Sequence, residues 1–175
     1  MTAPLYVIAP LPLAASDAAH IEAIRRAHDP QVDLVPPHFT LVFGARNADA
    51  EAAKAHVAAI AATTAPIAWR LDRVVAVDDY LFLMPDEGEA ALRALHRALY
   101  TGPFAGDLRS DIAFAPHVTI GVLPTSADAR RLADILARRP VDIVGHLQRL
   151  ELVAFDGGRV EAVGSYPLSG PAPRD

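Results

Sequence analysis

Two five-residue segments share one pattern: Pro37-His38-Phe39-Thr40-Leu41 and Pro116-His117-Val118-Thr119-Ile120 both read Pro-His-x-Thr-aliphatic. Each opens an apolar strand pattern and each strand leads on to a helix, so the chain repeats a unit and places its two copies in related settings. Side chains alternate along a strand. His38, Thr40 and Val42 therefore share one face and Phe39, Leu41 and Phe43 the other, while His117, Thr119 and Gly121 oppose Val118, Ile120 and Val122. The apolar set of each copy suits a helix-covered core. That leaves an imidazole and a hydroxyl about 7 Å apart along the opposite face of each strand. Two lobes that each give one histidine and one threonine make a four-residue polar site.

The segments around the repeat fill in a mixed order. Residues 5–9 form a short apolar strand; a helix follows with Ser16 as its N-cap and Ile21, Ile24 and Ala27 on its inner face, ending near His28-Asp29-Pro30. The alanine-rich stretch 49–62 is a second helix with Val57 and Ile60 on one side, and residues 67–77 and 80–84 form a hairpin across Asp78-Asp79. Leu92, Leu95 and Leu99 give a third helix that Gly102-Pro103 stops, and Thr125 or Ser126 caps a fourth, with Leu132, Ile135 and Leu136 inward. Residues 141–144, 149–155 and 160–166 complete the strands. Hairpins inside a helix–strand alternation indicate an α+β fold with largely antiparallel sheets, and no glycine-rich phosphate loop sits at a strand-to-helix turn.

With 175 residues and 52% hydrophobic content the chain can bury one core, so we expect a single domain of two lobes over 1–168 and a flexible tail over 169–175. There is no cysteine, which removes disulfides, thiolate nucleophiles and thiolate metal sites together. Pro4, Pro10 and Pro12 interrupt the first apolar run, and no basic segment precedes it, so it reads as a strand and not as a signal peptide or membrane span. The net charge of −5 gives no general attraction for a polyanion, which argues against extended nucleic-acid binding and leaves a small or terminal nucleotide as partner. We expect a monomeric cytoplasmic protein without membrane contact.

Two imidazoles and two hydroxyls suit in-line displacement at phosphorus. A neutral histidine takes a proton from the attacking oxygen while a protonated one gives a proton to the leaving oxygen. Threonine hydroxyls can hold the non-bridging oxygens and stabilise the charge that grows on them. The scheme requires no metal and no cofactor, and neither His38 nor His117 is accompanied by an H-x-H, an H-E-x-x-H or clustered carboxylates.

On these residues the chain resembles the two-histidine (2H) phosphoesterase superfamily, and especially its bacterial RNA 2′-5′ ligase-like branch. PPHFTLVFG and APHVTIGVL match its H-x-[ST]-hydrophobic signature twice, and LYVIAP, the His28-Asp29-Pro30 turn and YLFLMP are similar to its flanking segments. The resemblance covers nearly the whole chain. It implies a bilobal α+β fold in which two pseudo-symmetric sheets face across a cleft, with helices outside and both motifs on the cleft floor. It also implies a metal-independent phosphodiesterase acting on a 2′,3′-cyclic phosphate, a 2′-5′ linkage or the cyclic phosphate of ADP-ribose, at a nucleotide or an RNA 3′ end, with RNA joining as the reverse reaction. His38, Thr40, His117 and Thr119 are then the catalytic set. A non-catalytic nucleotide- or RNA-end-binding module in the same cleft is the alternative.

For substrate contacts we select Tyr80, at a strand start, and Arg109, on the long loop before the second motif. Tyr6, Trp69, Phe104 and Phe114 are further aromatics able to stack on a base but read first as core, and Arg70 and Arg73 are further candidate cations for a phosphate. His20, His56 and His96 fall beside apolar helix stripes and read as boundary residues, and His28 and His146 as loop residues. Asp107 and Asp111 read as solvated turn residues.

Overall fold

The strands form a curled eight-stranded sheet in the order β6-β3-β4-β5-β2-β1-β7-β8, every pairing antiparallel. The computed structural model describes residues 3–139 and 141–172. In chain order the elements are β1 (Leu5–Pro10), α1 (Ala15–His28), β2 (His38–Ala45), α2 (Ala50–Thr63), β3 (Ile67–Val77), β4 (Tyr80–Glu87), α3 (Glu89–Leu99), a 3₁₀ turn (Gly102–Asp107), β5 (Val118–Val122), α4 (Ser126–Leu136), β6 (Ile143–Leu147), β7 (Arg149–Phe155) and β8 (Val160–Pro167). The two expected sheets are the two four-stranded halves of this one sheet, β6-β3-β4-β5 and β2-β1-β7-β8. A single registered pair, Phe39 with Val118, joins them.

The helices lie on one face, over a core that includes Phe39, Leu41, Trp69, Leu92, Val118 and Ile120. They exchange halves in a symmetric way: α1, which precedes the first motif strand, packs behind the second motif strand β5, and α3, which precedes the second, packs behind β2. α2 backs β7 and β8, and α4 backs β3 and β4. Each motif strand is thus supported by the other repeat's helix.

Both motif strands carry a β-bulge at the same place. Ile8 pairs with Thr40 but Val7 pairs with Val42; likewise Phe82 pairs with Thr119 but Leu81 pairs with Gly121. One extra residue inverts the alternation beyond it. Val42 is therefore fully buried in the core and Phe43, expected there, is 72% exposed on the other face. Gly121, expected beside His117, turns to the core. A Cβ there would come within 2.9 Å of the His28 Cβ, so the glycine lets α1 approach β5.

Several local expectations are corrected. Helix α1 begins at Ala15, so Ser16 lies inside its first turn and Ala14 occupies the N-cap without a side-chain hydrogen bond. Its buried face carries Arg25 in place of Ala27, which is exposed. Thr125 does cap α4, accepting from Asp128 N, while Ile135 is half exposed because Ala129 and Ala133 form the contact face. His146 lies in strand β6 and not in a loop. The tail begins docked: Ser169 N and Gly170 N donate to Ala61 O and Thr64 O, and residues 173–175 of the expected flexible segment lie outside the described residues.

Candidate active site

The Phe39–Val118 pair sets the geometry. Directly paired residues of an antiparallel sheet point to the same side, and these two are fully buried toward the helices. Continuing that register one step in each direction turns the side chains to the open face and sets His38 opposite Thr119 and Thr40 opposite His117. The histidines are then diagonal neighbours, for which the usual spacing is about 7–8 Å with the Cβ atoms somewhat closer. That spacing has the dimensions of one phosphate held between two imidazole tips. The sequence-selected quartet is therefore gathered on adjacent strands of one sheet, where the halves meet.

Both imidazoles are oriented by the same device. His38 Nδ1 lies 2.8 Å from Pro36 O, and His117 Nδ1 lies 2.7 Å from Ala115 O. A carbonyl only accepts, so in each ring Nδ1 carries the hydrogen and Nε2 is left to give or take a proton. The intervening prolines, Pro37 and Pro116, hold the preceding residue extended, which aims its carbonyl back at the ring. Burial pushes both histidines below their ordinary range, against the opposing pull of the carbonyl; at His38 the Arg25 charge and His117 push further down and Asp29 pushes up.

Aromatic side chains cluster in both halves of the sheet, and one cluster touches the quartet. The His117 ring lies 4.0 Å from that of Phe82, which stacks on Tyr80 at 5.7 Å, so Tyr80 lies on the open face within one ring of His117. In the other half Tyr6 meets Phe43 edge-on at 5.2 Å and Phe155 at 6.0 Å. Phe43 and Phe82 were missed in the sequence. Phe43 is displaced by the bulge, and Phe82 sits inside an apolar run with no local mark of which face it takes. Among the described residues Arg109 makes no hydrogen bond or ion pair with the quartet: its guanidinium pairs with Asp111 at 2.7 Å on an exposed loop and holds that carboxyl down to about 2.

Behind the site, buried polar groups fix its approach segments. Arg25 Nε donates to Asp29 at 2.8 Å and Nη2 to Val35 O at 2.7 Å, pinning the loop that delivers Pro36 and His38. From α3, His96 Nδ1 donates to Leu41 O, Tyr100 Oη accepts from Phe43 N, and Arg93 donates to Phe114 O. His96 also stacks on Phe114 at 3.8 Å. One helix face thus satisfies the backbone of the bulge in β2 and holds the lead-in to His117. His56 Nε2 donates to Leu99 O at 3.0 Å, since the carbonyl can only accept. Asp107 accepts from Arg46 N and Asn47 Nδ2, Trp69 and Phe104 are core, and His20 lines a groove on the helical side. Among the described residues no three His, Asp or Glu side chains gather as a metal-ligand set, and no helix is long and apolar enough to cross a membrane.

Residues 12–159 match the family model of the 2′-5′ RNA ligase superfamily. A Bacillus pumilus protein named "Putative phosphoesterase" is 27% identical over 134 residues, covering 74% of this chain and 77% of its own length. A Bacillus cereus protein of the same name is 28% identical over 139 residues, covering 73% and 79%. Among solved structures, E. coli LigT complexed with NADP+ superposes with a TM-score of 0.66 at 20% identity, over 97% of this chain and 99% of that one. E. coli LigT complexed with 3′-AMP gives 0.64 at 20% identity over the same shares.

Proposed function

The chain belongs to the 2′-5′ RNA ligase superfamily, and from that membership we propose that it is a metal-independent phosphodiesterase acting on a 2′,3′-cyclic phosphate or a 2′-5′ phosphodiester of a nucleotide or RNA end. The observation that carries this reading is the matched anchoring of two histidines on one open face, each with Nδ1 held by the carbonyl two residues back. The nucleotide complexes of the LigT structures support a small nucleotide as ligand.

In the proposed reaction the phosphate sits between the two Nε2 atoms. The neutral imidazole accepts a proton from water as its oxygen attacks phosphorus, and the protonated imidazole donates to the ribose oxygen as the phosphorus–oxygen bond breaks. A cyclic phosphate opens to a monoester; a 2′-5′ linkage separates into a phosphate-terminated and a hydroxyl-terminated nucleoside. Thr40 and Thr119 donate to the non-bridging oxygens, whose charge grows in the transition state. With a 5′-hydroxyl in place of water, the same pair joins ends: one imidazole takes the 5′-hydroxyl proton as its oxygen attacks the 2′,3′-cyclic phosphate, and the other protonates the 3′-oxygen as its bond to phosphorus breaks, leaving a 2′-5′ linkage and a free 3′-hydroxyl. Tyr80 offers a stacking surface for a base beside His117.

The test is a screen of 2′,3′-cyclic nucleotides, ADP-ribose cyclic phosphate and 2′-5′ dinucleotides in EDTA. Turnover of at least one class, undiminished by chelator, is expected. Loss in EDTA with rescue by zinc or manganese would replace the reading with a metal hydrolase. Tight nucleotide binding with no turnover of any substrate would replace it with a binding module.

A further inference from the structure

Outside the quartet, the open face of the sheet carries two arginines in matching places. The Phe82–Thr119 and Leu83–Val118 pairs, continued by one step, put Met84 opposite His117, and Met84 pairs with Arg73 on β3. In the other half His38 pairs with Pro10, and the Ile8–Glu151 register, continued along β1 and β7, puts Arg149 opposite Pro10. Each arginine is thus two strands, about 10 Å, outward from one histidine. Both lie on the open side: Arg73 is two residues from Val75, the partner of Phe82, and Arg149 Nε lies 2.9 Å from Glu151 Oε1, between the core residues Leu150 and Leu152.

The two guanidinium groups are similarly presented, with 52% and 51% of the side chain exposed. Arg73 leans toward the site, with Nη2 donating to Pro85 O at 3.1 Å and Nε 3.3 Å from Asp72. In Arg149 the carboxylate holds the Nε edge, and among the described residues neither Nη has a hydrogen-bond partner. Arg149 is thus held at its base and open at its fork, and Arg73 keeps Nη1 without a hydrogen-bond partner among the described residues, so each guanidinium can still donate to a phosphate.

We propose that Arg73 and Arg149 form two flanking phosphate subsites, one outward of each histidine, so that the preferred substrate is a short oligonucleotide with a phosphate on each side of the scissile one. This rests on the phosphodiesterase reading and narrows its substrate class. It also fits the net charge of −5: two local cations recognise a short end without attracting a long polyanion.

The test compares a 2′-5′ dinucleotide bearing a terminal 5′-phosphate, one bearing a terminal 3′-phosphate, and one bearing neither. Binding is measured by titration calorimetry and turnover by product release. For wild type, each terminal phosphate is expected to tighten binding and raise kcat/KM by about tenfold or more. Arg73→Gln should erase the preference for one terminal phosphate and Arg149→Gln that for the other. Each substitution should also lower the slope of log affinity against log salt by about 0.7. Preferences unchanged in both variants, or absent from wild type, overturn the inference. Phosphate-dependent binding without turnover would sink the catalytic reading and keep the subsites, whereas turnover indifferent to terminal phosphates would do the reverse.

Discussion

At the scale of the residue, the two histidines are matched in anchoring and in environment, and burial lowers both. A reaction that needs one imidazolium gains its acid only as pH falls below the ordinary histidine value of about 6.5, and loses its base at lower pH still. The kcat/KM profile is therefore expected to be a bell with its maximum on the acid side of pH 6.5; a maximum near pH 8 contradicts it. Thr40→Val and Thr119→Val keep the β-branched shape and remove only the hydroxyl, so kcat should fall roughly 10-fold to 10³-fold while circular dichroism stays unchanged. Unaltered kcat in both would remove the threonines from the site. His38, Thr40, His117 and Thr119 were legible because the pattern occurs twice and period-two alternation assigns a face. Phe43 was misplaced because one bulged residue upstream reverses that assignment, and nothing in PHFTLVFG marks the bulge.

At the scale of the element, the approach to the first motif depends on a charge that α1 buries. Arg25 and Asp29 form an ion pair with side chains 2% and 6% exposed, and Arg25 also binds the Val35 carbonyl. Arg25→Met keeps the apolar stem but leaves Asp29 buried and without its cation, which should cost about 3–5 kcal/mol in urea unfolding. A loss below about 1 kcal/mol would show that the loop is held otherwise. The helices and the β3–β4 hairpin were legible from leucine spacing and the Asp78-Asp79 turn. The inner face of α1 was legible at Ile21 and Ile24 but not at Arg25, since a buried arginine is a rare occupant that spacing alone assigns to solvent. Nor was the role of α3, where His96 and Tyr100 serve the backbone of a strand distant in sequence.

At the scale of the whole molecule, the halves are bound together by the exchange of α1 and α3 behind each other's motif strands. A bilobal α+β arrangement was legible from the repeat. Its realisation as one continuous sheet was not, because the joint is a single long-range pair. Burial lowers three histidines, His38, His96 and His117, relative to an unfolded chain that titrates near 6.5. Between their folded values and 6.5 the unfolded state binds more protons, so stability should be full above about pH 6.5 and fall as pH drops through that window. Urea midpoints at pH 7.5 and pH 5 check this, and a higher midpoint at pH 5 would contradict it. The central claim, that His38 and His117 act as one acid–base pair at a single phosphate, is tested most directly by kcat for His38→Ala, His117→Ala and the double variant. Each single substitution should cost about 10²-fold to 10⁴-fold, and the double variant should be little worse than either, because both groups serve one displacement. Single variants that keep wild-type kcat, or a double variant whose loss is the full product of the two, would contradict it.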